Sequence, residues 1–324
     1  MAEKLLIDLG KNYITARFKD KQVRERNLGV FEKGEELKLV ASGGAAVELL
    51  KNPPDENHIV IAPFAGDRVA YPKPCGLILG DIFKREFPRL RKSAEVYVTV
   101  RLSVKQLHMK ALYDVFKDMG FRDVTLIDSL LTLVPYVHFA PVAIIGASGS
   151  DIGILDDGII EGCSTSVGGD YLDRLIAEKI EKVYKLKISP AAAEYIKFEV
   201  ASLIPADLFS TKVTGQNIIT GEILTTTVTT NDIREEVISA YTKILEIMDS
   251  LFTLLPDNLL EAIEEKSIYI AGGGANIKGI ESFFENYFHR PAVLSPQPEL
   301  SVIQGLAKLA ERDKTLAALL KLQR

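Results

Sequence analysis

The sequence predicts an α/β fold made of two duplicated halves. Three observations carry this reading. Strand-like and helix-like stretches alternate along the chain, which favours α/β layers. A short pattern near the start, Asp8-Leu9-Gly10, returns as Ile144-Ile145-Gly146, an offset of 136 positions from 8 to 144. That interval is far longer than a solenoid period, so it marks a repeated domain, and two similar halves commonly enclose a cleft. Glycine-rich turns also follow apolar runs at GASGS and AGGGAN.

Taken in order, LLIDLGKNYITARF and KQVRERNL predict a hairpin, KSAEVYVTVRL a strand, SVKQLHMKALYDVFKDMG a helix ending at Gly120, and VTLID a further strand. Between Asp128 and Asp151 there is no Asp, Glu, Lys or Arg. That length would suffice for a bilayer. However, Pro135 and Pro141 interrupt it, His138 lies between them, and small polar residues occupy its end, so a buried helix followed by a central strand explains it better. The second half then repeats the opening: VAIIGASGSDIGIL (142–155), DDGIIEGCSTS, and the helix YLDRLIAEKIEKVY. SIYIAGGGANIKGIESFFENYF predicts a strand, three glycines and an amphipathic helix.

Composition narrows the function classes. The 324 residues, 47% of them apolar, can fill two cores. A net charge of -5 with 26% charged residues advertises no global field for nucleic acid, and no nucleic-acid partner is expected. Cys75 and Cys163 have no CxxC spacing, and the chain opens directly on a strand; a reducing cytosol is the expectation. His58, His108, His138 and His289 are scattered without an HExxH pair, so no zinc centre is expected.

The glycine stretches point to phosphate. Glycine lets the backbone approach a ligand, and the amino terminus of the helix that follows offers free N–H groups and partial positive charge. The dinucleotide fingerprint fails, because Gly272-x-Gly274 is followed by Ile277 where its third glycine belongs, and no GxxxxGK[ST] occurs. The competing reading of AGGGAN alone is a tight helix start packed on a strand. In the GASGS turn, Gly146, Ala147, Ser148 and Gly149 present backbone amides that can cradle phosphate whatever the side chains.

Together these stretches resemble the actin-like ATPases, and within them the bacterial MreB family. IDLG (7–10) is similar to the first phosphate hairpin, IIGASGSD (144–151) to the second, VGGDYLDRLI (167–176) to the segment after it, and YIAGGGANIKGI (269–280) to the adenosine loop. AEYIKFEVASLIP (193–205) resembles the segment whose Glu and Lys face the nucleoside, here Glu194 and Lys197. TKVTGQNIITGEILTTTVTTNDIREEV (211–237) resembles the hairpin and helix start of the smaller second-half subdomain. The likeness is strong after Pro141 and weaker from Val30 to Arg91.

The resemblance implies an actin-like fold, two duplicated ribonuclease-H-like domains around an interdomain nucleotide cleft. The first half covers 1–140 with a small subdomain inserted at about 29–75. The second covers 141–304 with an insertion at about 181–249. The segment 305–324 is a helix returning to the first half, its Leu316, Leu319 and Leu320 forming an apolar stripe. ATP or ADP with Mg2+ is the implied cofactor. The implied nucleotide residues are Asp8, Gly10, Lys11, Asn12, Gly146, Ala147, Ser148, Gly149, Glu194, Lys197, Gly272, Gly273, Gly274, Ala275 and Asn276, with Asp8 also serving the metal.

Departures from the family pattern matter as much. Ile144 stands where the family's second hairpin begins with an acid, and Ser129 stands where its hydrolytic Glu belongs. Ser129 cannot polarise water as a carboxylate does. Asp128 is its neighbour, but one residue on a helix turns a side chain by about 100°. Lys11 replaces a Thr, Gly149 replaces another, and Asp151 takes the Glu position at the loop's end. A filament-forming, ATP-binding cytoskeletal protein with a degenerate hydrolysis site is the implied function, with the chain itself as partner. The alternative is a non-polymerising nucleotide-binding scaffold or chaperone-like relative of the PilM or EutJ kind. A sugar kinase fits least, because no acid to activate a phosphoacceptor can be identified.

One stretch suggests an anionic membrane contact and a place at the inner face of the cell membrane. In FKREFPRLRK (83–92), Lys84, Arg85, Arg89, Arg91 and Lys92 stand against the single Glu86, a local net of +4, with Phe83, Phe87 and Leu90 interleaved as inserting side chains. The competing reading is a solvated loop whose aromatics tuck into the core.

Overall fold

The computed structural model describes residues 3–50 and 55–322. Side chains at 313, 314 and 320–322 fall outside that description, and with them Leu320 of the expected stripe. Two compact units result. The first runs to Tyr136 and takes in the segment from Leu300 onward; the second is Val137–Glu299. The divisions therefore fall at 136/137 and 299/300, where the sequence suggested 140/141 and 304/305.

The two central sheets share one topology. In the first unit the order is Val124–Asp128, Glu95–Val100, Lys4–Leu9, Tyr13–Phe18, Lys21–Arg26. In the second it is Ala292–Leu294, Ile268–Ala271, Ala140–Ile145, Ser150–Leu155, Ile159–Thr165. Each is an antiparallel meander of three strands whose first strand also pairs in parallel with a later one. The repeat at 8 and 144 thus places both residues near the ends of equivalent strands.

Alternation explains the first sheet. Leu5, Ile7 and Leu9 on one strand and Ile14, Ala16 and Phe18 on the next turn to one face and are buried with Ile78, Leu79, Phe83, Val98 and Phe116. Each such large side chain contributes roughly 1.5–3 kcal/mol when fully buried. In the second sheet Ala140–Ile145 and Ser150–Leu155 are buried at every position, as expected of central strands covered on both faces.

Smaller sheets extend each unit. Lys38–Ser42, Gly29–Glu32 and His58–Ile61 form one antiparallel sheet, followed by the helix Pro72–Glu86. In the second unit Leu186–Lys187, Ser210–Asn217 and Ile223–Thr229 form another. The helix Pro190–Val200 opens with Ser189, whose hydroxyl accepts the Ala192 N–H at 3.2 Å, and Pro190 sits in its first turn. Thr229 and Asp232 close a capping box on the long helix Thr230–Thr253.

Three expectations change. The helix read over 103–120 spans Gln106–Asp118. The buried helix after Asp128 is a single 3-10 turn, Leu130–Leu133, because Pro135 lacks the N–H that would bond Leu131 and carry the helix forward. The terminal helix is two, Ser301–Ala310 and Asp313–Leu322, the first closed by Arg312 N–H donating to the Leu309 carbonyl at 2.9 Å. Within the first unit, Ser301–Ala310 packs on Lys4–Leu9 and on the 3-10 turn. A Cβ at Gly305 would lie 1.8 Å from the Thr132 carbonyl oxygen, so only glycine allows that approach.

Candidate functional site

In the first unit the strand Lys4–Leu9 carries Asp8 to the rim of the sheet. Its rung partners are Thr15 and Thr99, and the Thr99 hydroxyl donates to Asp8 Oδ1 at 2.8 Å. Loss of water raises the Asp8 carboxyl pKa above its ordinary value, opposed by the Thr99 hydrogen bond and the Arg24 charge. The turn beyond it is tight: Gly10 N–H donates to the Tyr13 carbonyl at 3.0 Å, with Lys11 and Asn12 half-buried at its tip. Sequence reasoning missed Asn27. Its side-chain amide donates to the Gly10 carbonyl at 2.8 Å and its backbone N–H to the Asn12 carbonyl at 2.9 Å, so one buried residue holds both ends of the turn. The only signal was a polar residue closing the alternating stretch KQVRERN. Asn27 Oδ1 is buried without a hydrogen-bond partner among the described residues.

The position expected to carry hydrolysis lies in the same unit. Ser129 and Asp128 are both buried. Asp128 Oδ1 accepts the Leu130 N–H at 2.8 Å and so caps the 3-10 turn, while the Thr132 hydroxyl donates to the Ser129 carbonyl at 2.6 Å. The neighbouring acid therefore shapes the backbone at this position.

In the second unit, Ala140–Ile145 runs into the Gly146–Gly149 turn, closed by Gly146 N–H donating to the Gly149 carbonyl at 2.9 Å. The helix Gly169–Tyr184 begins against this turn: Gly169 N–H donates to the Gly146 carbonyl and Asp170 N–H to the Ala147 carbonyl, both at 2.9 Å. A Cβ on Gly168 would fall 2.6 Å from the Gly146 oxygen and 2.7 Å from the Gly149 nitrogen, so the approach requires glycine. Ile144 is buried, and across its rung stands Asp151, also buried, which accepts the Ser164 hydroxyl at 2.5 Å.

Lys197 joins this cluster by a route the sequence did not suggest. Its ammonium lies 2.7 Å from Asp173 Oδ1 and donates to the Gly169 carbonyl at 3.3 Å. It thus pairs with the helix that docks on the phosphate-sized turn. Burial pushes the Asp173 carboxyl up to about 6; Lys197 opposes the rise, and the Glu194 and Asp170 charges add to it.

The third stretch lies beside the second. Gly272, at φ +87°, and Gly274 press on Ile145: a Cβ on Gly272 would sit 2.4 Å from the Ile145 oxygen, and one on Gly274 2.5 Å from its Cγ2. Gly273 differs. It is exposed, and a Cβ there would meet nothing nearer than Glu299 Cβ at 3.8 Å. Ala275 is buried under the turn, and the Asn276 amide donates to Glu299 Oε2 at 3.0 Å. The buried Tyr241 hydroxyl donates to the Gly274 carbonyl, fixing the loop to the long helix Thr230–Thr253.

The inserting role expected of Phe83, Phe87 and Leu90 does not hold. Phe83 and Phe87 are 3% and 4% exposed in the first core, and Leu90 packs against it, so none of the three is presented for insertion. The helix Pro72–Glu86 runs into the stretch and turns Phe83 inward, with Phe87 at its C-cap. Two of the five basic residues are also engaged: Arg85 pairs with Glu25, Asp81 and Glu86, and Lys92 lies over the Phe121 ring at 4.3 Å. Among the described residues no helix is long and apolar enough to cross a membrane, and no group of three or more His, Cys, Asp or Glu could hold a metal ion.

Two units with one strand order, each placing a turn at the end of equivalent strands, define an actin-like protein. Solved structures carry the same fold: MreB5 of Spiroplasma citri bound to AMPPNP superposes with a TM-score of 0.90 at 22% identity, covering 98% of each chain. The MamK double helical filament gives 0.76 at 14% identity, over 95% of this chain and 99% of that one. The chain belongs to the MreB/Mbl protein family, whose profile matches residues 2–318. It is 26% identical to the cell shape-determining protein MreB of Escherichia coli strain K12 over 231 residues, 68% of this chain and 67% of that protein. It is 27% identical to Mbl of Bacillus subtilis strain 168 over 156 residues, about half of each.

Proposed function

We propose that this chain binds ATP or ADP and assembles into MreB-like cytoplasmic filaments that serve cell shape or the positioning of cellular components, with a weakened hydrolysis site. The observation that carries nucleotide binding is the open space at Gly273. Packing explains Gly272 and Gly274 without any ligand; it does not explain Gly273, and a glycine with free space above it is what a close-lying ligand requires. The amides of the Gly146–Gly149 turn lie one residue from Ile145, on which that loop rests. Relatives of this fold have been solved with AMPPNP and with ADP, and one as a filament.

Magnesium suits the donors in one way. It commonly binds through one or two carboxylates, substrate phosphates and retained waters. Asp8 supplies one such carboxylate, and a cation near it would favour the charged form that burial disfavours. On this reading the ion arrives with the nucleotide and neutralises phosphate charge. The weakened hydrolysis rests on Ser129 and Ile144 standing where the family pattern places acids, and on Asp128 being engaged at the Leu130 N–H.

Calorimetry with ADP and magnesium, phosphate release and pelleting test this together. Binding is expected, with phosphate release about 10²- to 10⁴-fold slower than in relatives that carry the general base. A rate equal to theirs refutes the weakened site. A chain that binds nucleotide yet stays monomeric at tens of micromolar, an order-of-magnitude threshold, is the non-polymerising scaffold instead.

A further inference from the structure

Ile223–Thr229 is the outer strand of the small second-unit sheet, paired among the described residues only with Ser210–Asn217. The bond from Asn217 N–H to the Glu222 carbonyl, at 2.8 Å, sets the alternation of the ladder. Leu224, Thr226 and Val228 turn their backbone groups inward, and Ile223, Thr225 and Thr227 turn theirs outward. Thr229 is excluded, because its N–H donates to Asp232 Oδ2 at 2.7 Å.

Proteins usually blunt such an edge with charge, proline or a bulge. This one has none of them: the strand reads ILTTTVT, its ladder is unbroken, and Ile223 and Leu224 are 68% and 42% exposed. We infer that this edge is self-pairing, and that two copies of the chain join here as antiparallel strands about a two-fold axis at Thr225. In that register Ile223 meets Thr227 of the second copy, Thr225 meets Thr225, and on the other face Leu224 meets Thr226. Three outward rungs give about six hydrogen bonds, two for each rung. No rung opposes two charges, and threonine methyls face apolar side chains, so the strand complements itself. Nothing charged is present to select a different strand.

Such a contact is isologous and closes on itself, unlike the head-to-tail contact that builds a fibre. Three rungs make a small interface, so it is weak between free monomers and gains strength where copies are arrayed. It requires no nucleotide and stands independently of the proposed function.

A cysteine at the axis tests it. Thr225→Cys places two thiols on a rung whose Cα atoms lie about 5.5 Å apart, within the range that a disulfide spans. Thr214→Cys, on the middle strand directly across from Thr225, is the control. Under mild oxidation at tens of micromolar, a disulfide dimer is expected for Thr225→Cys, absent from Thr214→Cys and from the parent with its native Cys75 and Cys163. Adding Thr227→Lys to Thr225→Cys is expected to suppress it. A Thr225→Cys dimer no more abundant than in the control overturns the inference and leaves the edge to another polypeptide.

Discussion

Substituting alanine at each of the three consecutive glycines separates packing from ligand approach. At Gly272 the backbone is left-handed, which costs a non-glycine residue about 1–2 kcal/mol. The new methyl would also stand 2.4 Å from the Ile145 oxygen and 2.7 Å from its nitrogen, both in a strand buried at every position. Overpacking of that kind adds about 1–3 kcal/mol. The total, about 2–5 kcal/mol, lowers Tm by roughly 4–20 °C at the 2–4 °C per kcal/mol typical of domains of this size. Gly274→Ala is expected to cost somewhat less, because its clash is with the Ile145 side chain. Gly273→Ala reverses the pattern. Its φ is ordinary and its methyl meets nothing, so reduced freedom of the unfolded chain leaves the apo protein as stable as the parent or up to about 1 kcal/mol more so. Yet it is expected to weaken ADP binding at least about tenfold, or 1.4 kcal/mol. Scanning calorimetry without ligand and titration calorimetry with ADP give both numbers. A Gly273→Ala protein that binds ADP like the parent refutes the reasoning, since the open glycine would then serve no ligand.

Asp173→Asn is expected to change how stability depends on pH. The folded-state pKa, about 6, lies above the ordinary 3.8, so the native form holds its proton more tightly, and this contribution is present below about pH 4 and lost as pH rises through about 6. The variant cannot titrate there, so its stability relative to the parent should rise by about 1–2 kcal/mol between pH 4 and pH 7, roughly half the full shift once solvent screening is discounted; urea melts showing a flat or falling difference contradict it. Gly305→Ala is expected to cost about 3 kcal/mol or more, because its methyl would collide with the Thr132 carbonyl, whereas Gly76→Ala, whose methyl meets Met119 and Val115 at 3.8 Å, is expected to be neutral or stabilising. Equal Tm values for the two variants would show that the terminal helix does not depend on that close approach.

The duplicated architecture was legible because both signals behind it are local. Strand alternation and the spacing from 8 to 144 survive whatever the strands pack against. The terminal segment was less legible: SVIQGLAKLAERDKTLAALL has one continuous helical pattern, and the break at Glu311 and Arg312 follows from hydrogen bonding near Leu309 that periodicity does not record. FKREFPRLRK misled for a related reason. Interleaved aromatic and basic residues look alike on a membrane-facing loop and at the end of a helix laid over a core, and Phe18, in ring contact with Phe87 at 6.0 Å, is 69 positions away in sequence. At the site, the glycines could be found by composition, but Asn27, Asp173 and Tyr241 could not. Each acts by holding the backbone or a partner of another segment, and no spacing rule connects Asn27 to Gly10, Asp173 to Lys197 or Tyr241 to Gly274.

The equivalent rungs of the two sheets show how the halves diverge chemically. Asp8 faces Thr15 in the first, and Ile144 faces Asp151 in the second, so each rung carries one carboxylate. It has changed strands between the halves, a displacement of about 5 Å across the ladder. In the first half the acid is half-buried beside the open turn at Gly10, and losing water costs it charge. In the second half Asp151 is 2% exposed and accepts the Ser164 hydroxyl, while the strand end nearest the turn presents only Ile144. An anion approaching the Gly146–Gly149 amides therefore meets no carboxylate on that strand, and the turn can favour phosphate without a counterion of its own. Asp8, half-buried beside the turn, is open to a cation, whereas Asp151 is shut inside its sheet. Any metal dependence should accordingly follow Asp8: Asp8→Asn is expected to weaken ADP binding in magnesium by more than it does in EDTA. If the loss is the same in both, Asp8 supports the hairpin and holds no ion.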